Sequence, residues 1–481
     1  MTERPAVNGR PRAPQLTRSP RPSSCDTPLA LSQQRLWILD QILGDSVAYN
    51  NVFALRLRGP MDTGAMTAAL AMISRRHEAL RTSFPLVAGE PRQRVAPPGP
   101  LQVRFEDLTG DPGGDCLQRA RAILAEEQLR PYDLAHGPLA RYLLVRLDAA
   151  DHLLAVCMHH IICDGGSFDV IARELGRFYA ALAAGRDAEA EPLALQYADY
   201  ALWQQAMAES GRWDSQLRFW REQLSGAPSV LSLPTDRPRS EDHDDRSAAY
   251  TFSIDPGMVA RALRLCHDVG VTPFMAFFTI FALLLYRYQP KQRRDVVIGV
   301  PFAGRFDRRL GDLIGMFINT LAVRVTCDDN STFRKLLLQV RETLLNAYGN
   351  ADIPFDWVVR ELKPSRDTRH NPLFQVLFQL QHANDEAIRL GDLEGTGFSP
   401  SEQPAKFDIT LSLELVHDTL ICEITYKAEI FDEPTIVQMA ADYQKLVASV
   451  TATPDHPVAM FLPASVRDSS TADETERTNP C

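Results

Sequence analysis

The sequence predicts a two-lobed α/β (α+β) protein. Three observations carry that expectation. Amphipathic helical stretches alternate with short strand-like runs along most of the 481 residues. The mixture occurs twice, on either side of a Pro- and Asp-rich segment, 226–247, which reads as a linker. The composition, 45% hydrophobic and 23% charged, is that of a globular chain long enough for two or three cores.

Taken in order, residues 1–28 are rich in Pro, Arg and Ser without apolar periodicity and read as a disordered lead-in. The N-terminal lobe follows at 29–205. Its strands are expected at Val52–Leu57, Arg141–Leu147 and Leu153–His160. Its helices are expected at Thr63–Arg76, Leu117–Gln128 and Phe168–Ala184, followed by an Ala/Glu-rich loop at Gly185–Glu191. Residues 206–247 hold a helix, Trp213–Leu224, and the linker. The C-terminal lobe, 248–463, opens on a strand at Ala249–Ile254, helices at Pro256–Val269 and Pro273–Tyr288, and a strand at Asp295–Val300. Patterned stretches at Phe333–Tyr348 and Phe374–Gln381 come next, then strands at Ile409–Leu415 and Thr419–Tyr426 and a last helix at Pro434–Ala452. Residues 464–481 read as a disordered tail.

Several function classes are excluded early. The net charge of −10 argues against nucleic-acid binding. Of 51 basic residues 45 are arginine, and no lysine precedes Lys291, so the N-terminal half offers no amine for Schiff-base chemistry. The eight cysteines (Cys25, Cys116, Cys157, Cys163, Cys266, Cys327, Cys422, Cys481) form no Cys-x-x-Cys pair and read as reduced, cytoplasmic thiols. There is no apolar signal segment at the N-terminus. The longest apolar run, Phe274 to Tyr286, is short of the roughly 20 residues a bilayer needs, so a buried helix is expected and no membrane. Gly-x-Ser-x-Gly, P-loop and Gly-x-Gly-x-x-Gly patterns are missing.

Chemistry concentrates in His159-His160-Ile161-Ile162-Cys163-Asp164-Gly165. A histidine can take a proton from an amine or alcohol near neutral pH. On a strand through Leu153–His160, His160 shares a face with Leu154, Val156 and Met158, while His159 lies opposite. Only one histidine can then face a given cleft, and the pair is badly placed to chelate one metal. Two hydrogen-bonded structural histidines are the plain alternative. The following Asp164-Gly165-Gly166-Ser167 lacks the spacing of a phosphopantetheine attachment site, so Ser167 reads as a helix N-cap.

HHIICDG resembles the HHxxxDG signature of nonribosomal peptide synthetase condensation domains, members of the chloramphenicol-acetyltransferase-like superfamily. Other blocks occur in the same order. Leu31 to Trp37 (LSQQRLW) looks like the opening SxxQxRLW block, and Arg76 to Phe84 (RHEALRTSF) like RHExLRTxF. Tyr132-Asp133-Leu134 with Gly137-Pro138-Leu139 is similar to FDLxxGPL, with Tyr in place of Phe. Tyr197 to Gln204 resembles YxDYAxWQ. Ile298 to Arg305 and Ile314 to Leu321 resemble IGxPxAGR and IGxFxNTL, and Asn371 to Val376 the last core motif. The resemblance covers about residues 29–460.

The resemblance implies a V-shaped pseudo-dimer of two acetyltransferase-like lobes with the active site at their interface. It implies that His160 stands nearest the reacting carbonyl, as general base or as the group that positions the nucleophile. His159 and Asp164 would then be structural, with Asp164 paired to an arginine of the other lobe, Arg287 or Arg305, and Gly165 N–H a candidate oxyanion donor. Arg76 and Arg81 either cap a helix and pair with surface carboxylates or scaffold the site. Tyr200 and Trp203 read as core packing, and Gly299, Pro301, Gly304 and Gly315 as shaping a crossing loop. Asn319 is either a satisfied buried amide or a substrate contact. The implied reaction moves an acyl group from a thioester on a carrier protein's phosphopantetheine arm to an amine or hydroxyl, forming an amide or ester in natural-product biosynthesis. The acceptor sits on a second carrier protein or is a soluble small molecule. No bound cofactor or metal and a monomer are expected. With no adenylation or carrier domain in the sequence, a free-standing enzyme is expected. The rivals are an acyl-coenzyme A-dependent acyltransferase and a non-catalytic recruitment domain.

Overall fold

The structure is a computed structural model. It describes residues 14–19, 26–44, 47–110, 115–239, 246–290, 293–363, 369–382, 388–398 and 405–461. The expected tail at 464–481 lies outside them. The chain forms two compact units, and neither is contiguous. The first comprises Met1–Ser215, Ala303–Asn319 and Glu386–Gln403; the second comprises Gln216–Phe302, Thr320–Asp385 and Pro404–Cys481. This corrects the expected division at 29–205 and 248–463. Two short segments of the expected C-terminal lobe belong to the first unit because their partners lie there.

The first unit is built on a six-stranded sheet ordered Ile388–Leu390, Leu393–Gly397, Asn50–Arg58, Asp151–His159, Ala140–Asp148, Val103–Asp107. All neighbours are antiparallel except the last pair. Alternation along Asp151–His159 sorts its side chains between two cores. Leu154, Val156 and Met158 join the larger cluster beneath helices Thr63–Arg76 and Gly165–Ala183. Leu153, Ala155 and Cys157 face Ala120 and Leu124 of helix Cys116–Gln128. Burial pushes the Cys157 thiol up to about 12. A smaller sheet joins Thr27–Pro28, Glu90–Val95 and Thr82–Ser83, with Leu86–Val87 also on Glu90–Val95.

The expected disordered lead-in is partly overturned. Leu16 is buried, the Trp203 indole N–H donates to the Pro14 carbonyl (3.0 Å), and Ser19 N–H donates to Asp199 (3.0 Å). Thr27 and Pro28 pair with Gln93 and Arg92. One apolar anchor and a few backbone partners order this stretch without any periodicity in its sequence. The other residues of 1–28 lie outside the described set.

The second unit carries a six-stranded sheet ordered Asn319–Thr326, Asp295–Phe302, Val376–His382, Ile409–Val416, Thr419–Lys427, Ser247–Ile254. Helices Pro256–Val269, Pro273–Arg287, Phe333–Gly349 and Glu433–Ala452 accompany it. The apolar helix Pro273–Arg287 is buried from Met275 to Tyr286, as its sequence predicts. Among the described residues no single helix is long and apolar enough to cross a membrane. The expected linker has no helix or strand at 227–239, but it is not loose. Leu231 is buried, its N–H donates to Gln375 (2.8 Å), and Ser232 N–H donates to Gln289 (3.1 Å).

Candidate active site

The strand carrying the histidine motif ends at His159, and His160–Ile162 form a single 3-10 turn. His160 is therefore half-buried just past the strand end and is no longer part of the alternating face. Its backbone N–H still donates to Tyr49 on the neighbouring chain segment (2.8 Å). The ring is held within the turn, because His160 Nδ1 lies 2.7 Å from the Cys163 carbonyl oxygen. A carbonyl only accepts, so Nδ1 carries the proton and the neutral ring keeps its lone pair on Nε2.

His159 is fixed in the opposite tautomer. Its Nδ1 accepts from Ile161 N–H at 3.1 Å, which places the proton of the neutral ring on Nε2. The ring is buried beside Tyr49, tilted to it at 6.4 Å between centroids, and Tyr132, edge-on at 6.1 Å. The two neighbouring histidines thus differ in exposure, tautomer and surroundings.

Asp164 caps helix Gly165–Ala183 and is 3% exposed. Its Oδ1 accepts from Ser167 N–H (2.9 Å) and Ser167 Oγ (2.8 Å), and its Oδ2 from Phe317 N–H (3.0 Å). Arg305 Nη2 donates to Oδ1 at 2.7 Å. The same guanidinium donates to the carbonyls of Leu310 and Leu313 and lies over the Phe317 ring, 4.4 Å from its centroid. Arg305 is thus the arginine that meets Asp164. It belongs to the same compact unit, so the expectation of a partner from the other lobe is corrected. Arg287 pairs with Asp442 (3.1 Å) in the second unit.

The cap is Asp164, not Ser167, because the helix begins three residues earlier than the sequence pattern predicts. Ser167 Oγ instead ties the helix to Gly315, 3.1 Å from its carbonyl oxygen and 3.2 Å from its nitrogen. Gly165 is exposed at the first helical position, with no atom within 4 Å of where a Cβ would stand. Gly166 is the confined one, since a Cβ there would lie 2.8 Å from Arg305 Nε.

The RHE block supports the same helix from below. Arg76 Nε lies 3.0 Å from Glu174 Oε1 and His77 Nε2 lies 2.9 Å from Oε2, all three side chains being largely buried. Ile314 N–H donates to His77 Nδ1 (3.4 Å). Arg81 satisfies carbonyls at the end of helix Thr63–Arg76, donating to Ser74 (3.0 Å) and Arg75 (3.3 Å). Arg76 therefore scaffolds the motif's helix, and Arg81 caps a neighbouring one. Asn319 is half-buried at the start of its strand. Tyr200 stacks on Trp203 (5.8 Å) and meets Phe317 edge-on (4.9 Å). Gly315 leaves room for Tyr197, whose Cδ2 would be 2.0 Å from a Cβ there. Sequence reasoning passed over Gln33, His77 and Glu174, and read Ser167 as a helix cap only. The first two stand inside the recognised blocks, but nothing in spacing alone tells which block residues reach the histidine turn.

A family model described as Condensation domain matches residues 24–469. The chain belongs to the condensation-domain family. Among curated proteins it is 40% identical over 444 residues to phosphinothricin tripeptide synthetase PhsC of Streptomyces viridochromogenes, covering 92% of this chain and 40% of that one. It is 36% identical over 434 residues to malpinin synthetase of Mortierella alpina, covering 90% of this chain and 6% of that protein. This condensation-domain chain therefore spans less than half the length of these relatives. Among solved structures, the X-domain from teicoplanin biosynthesis matches with a TM-score of 0.84 at 28% identity, over 93% of this chain and 99% of that one. SgcC5 from Streptomyces globisporus matches with 0.76 at 27%, over 89% and 100%. The fold is accordingly that of chloramphenicol-acetyltransferase-like condensation domains.

Proposed function

We propose that this condensation domain transfers an acyl group from a carrier-protein phosphopantetheine thioester to an amine or hydroxyl acceptor. The carrying observation is the intact histidine turn, with His160 Nδ1–H committed to the Cys163 carbonyl. That bond leaves the lone pair of the neutral ring on Nε2. Nε2 accepts the nucleophile's N–H or O–H hydrogen bond as the amine or alcohol attacks the thioester carbonyl. The new C–N or C–O bond forms, the C–S bond breaks, and the thiol leaves with a proton. Positive charge on the imidazole strengthens the Nδ1–H bond to Cys163, since charge-assisted hydrogen bonds are the stronger class. The Asp164–Arg305 clamp, itself buried, supports the turn from the helix side. A donor carrier protein and a carrier-bound or soluble acceptor are the partners of this reaction. Its steps call on no bound cofactor.

One observation favours a second reading. A matched structure is a complex of the X-domain and OxyB from teicoplanin biosynthesis, at 28% identity over 94% of this chain, which supports partner recruitment without turnover. A single assay separates the readings. Acyl-loaded carrier protein is incubated with a panel of amines and alcohols, and products are followed by mass spectrometry. Turnover that falls about 10²–10⁴-fold in His160→Ala supports the catalytic reading. Full activity in that variant removes His160 from catalysis, and equal rates with acyl-coenzyme A remove the carrier-protein donor. No product with any donor leaves recruitment as the better account.

A further inference from the structure

We infer that Gln33 is a positioning residue for His160. This rests on the acyl-transfer reading above and deepens it. Gln33 is 1% exposed, on helix Leu31–Leu43, and its amide makes two hydrogen bonds of opposite sense. Oε1 accepts from Ala30 N–H at 3.0 Å, closing the start of its own helix. Nε2 donates to the Ile161 carbonyl at 2.9 Å. Ala30 N–H can only donate and the Ile161 carbonyl can only accept, so the amide has one permitted orientation.

Ile161 is the middle residue of the His160–Ile162 turn. That turn is closed by Cys163 N–H donating to the His160 carbonyl (3.2 Å), and it holds the His160 ring through Nδ1–H to the Cys163 carbonyl. Its backbone is otherwise tied by His160 N–H to Tyr49 and by Ile161 N–H to His159. The Gln33 amide holds the carbonyl side of the turn from a separate helix. When it lets go, the turn opens, Nδ1 loses its fixed acceptor, and the proton is shared between both ring nitrogens. The fraction of His160 with its lone pair on Nε2 then falls, and so does its aim.

Two substitutions test this, and each removes a different part. Gln33→Met keeps the volume and removes both hydrogen bonds. Gln33→Glu keeps the acceptor for Ala30 N–H, and its carboxyl donates to Ile161 only while protonated. Both variants, wild type and His160→Ala are compared in the carrier-protein assay across pH, with rates taken per folded molecule. ¹⁵N-histidine NMR reads the His160 tautomer in parallel. Gln33→Met is expected to lower kcat about 10–100-fold without raising KM for the carrier-bound donor, because misplacement by about 1 Å costs rate more than binding. The ratio of Gln33→Glu to wild-type kcat is expected to fall as pH rises, as the introduced carboxyl loses its proton. A helix-capping role alone leaves that ratio flat. The inference is overturned by wild-type kcat in Gln33→Met, by a pH-independent ratio, or by an unchanged Nδ1–H tautomer in Gln33→Met. If wild type turns over nothing, the acyl-transfer reading fails. The tautomer measurement then decides the positioning inference independently.

Discussion

Asp164 gathers much of the site's order at a single carboxylate. That carboxylate accepts from Arg305, from Phe317 N–H and from Ser167, all in a buried position. Removing one member of a buried ion pair strands the other charge, which costs about 3–5 kcal/mol. Asp164→Ala is therefore expected to lower unfolding stability by about that amount in urea titrations. Gly166→Ala attacks the same clamp sterically, since its Cβ would meet Arg305 Nε at 2.8 Å. Arg305 cannot swing away without losing the Leu313 carbonyl and the Phe317 ring, so about 1–3 kcal/mol is expected. A Gly166→Ala protein as stable as wild type would mean that Arg305 has a second resting place. The choice between Arg287 and Arg305 was not legible in the sequence. Both are single arginines ending apolar stretches, and only the path of 303–319 brings one of them to Asp164.

At the scale of elements, helix Gly165–Ala183 is held at its cap and again three turns later. Its buried positions, Ser167, Val170, Ile171, Glu174, Leu175, Phe178 and Tyr179, follow the spacing of one helical face. Glu174 is the charged member of that face and answers to Arg76 and His77. Glu174→Ala is expected to cost about 3–5 kcal/mol, because it leaves a buried guanidinium without its carboxylate. Combined with Arg76→Ala, the loss should be well short of the sum of the two single losses, as for any directly coupled pair. Strictly additive losses in denaturant titrations would show that the two side chains act separately. Periodicity foretold this helix and the three central strands of its sheet, because their faces bury in a regular way. It missed Glu90–Val95 and Val103–Asp107, which are charged and half-exposed, and the Ile388–Leu390 and Leu393–Gly397 pair, which is short and rich in glycine. It also carried the histidine strand one residue too far. The alternation of Leu154, Val156 and Met158 is real, but a 3-10 turn begins where the strand's ladder with Asn50–Arg58 ends, at Asn50 opposite His159.

For the whole molecule, the interleaving of the two units decides what can fold alone. The Pro- and Asp-rich composition of 226–247 reads as a linker, and the described stretch 227–239 has no helix or strand, which by itself suggests lobes separable by a cut there. Contacts separated by long stretches of sequence say otherwise, and local patterns cannot report them. Leu393–Gly397 pairs with Leu55 to Arg58 and covers the outer edge of that strand. Segment Ala303–Asn319 supplies Arg305 and the Phe317 N–H to Asp164, and the Gly315 surface to Tyr197. A fragment ending near residue 230 lacks all of these. It would bare the edge of Asn50–Arg58, leave the Asp164 carboxylate buried without its cation, and expose Tyr197 and Tyr200. Unpaired strand edges recruit other chains, and an unpaired buried charge opposes the native packing. The fragment is expected to aggregate or to unfold without a cooperative transition in circular dichroism, whereas the full chain unfolds cooperatively. Adding a peptide of residues 303–319 in trans should restore part of the order, because it returns the Arg305 clamp. A fragment that unfolds cooperatively on its own would show that the two inserted segments decorate the first unit instead of completing it.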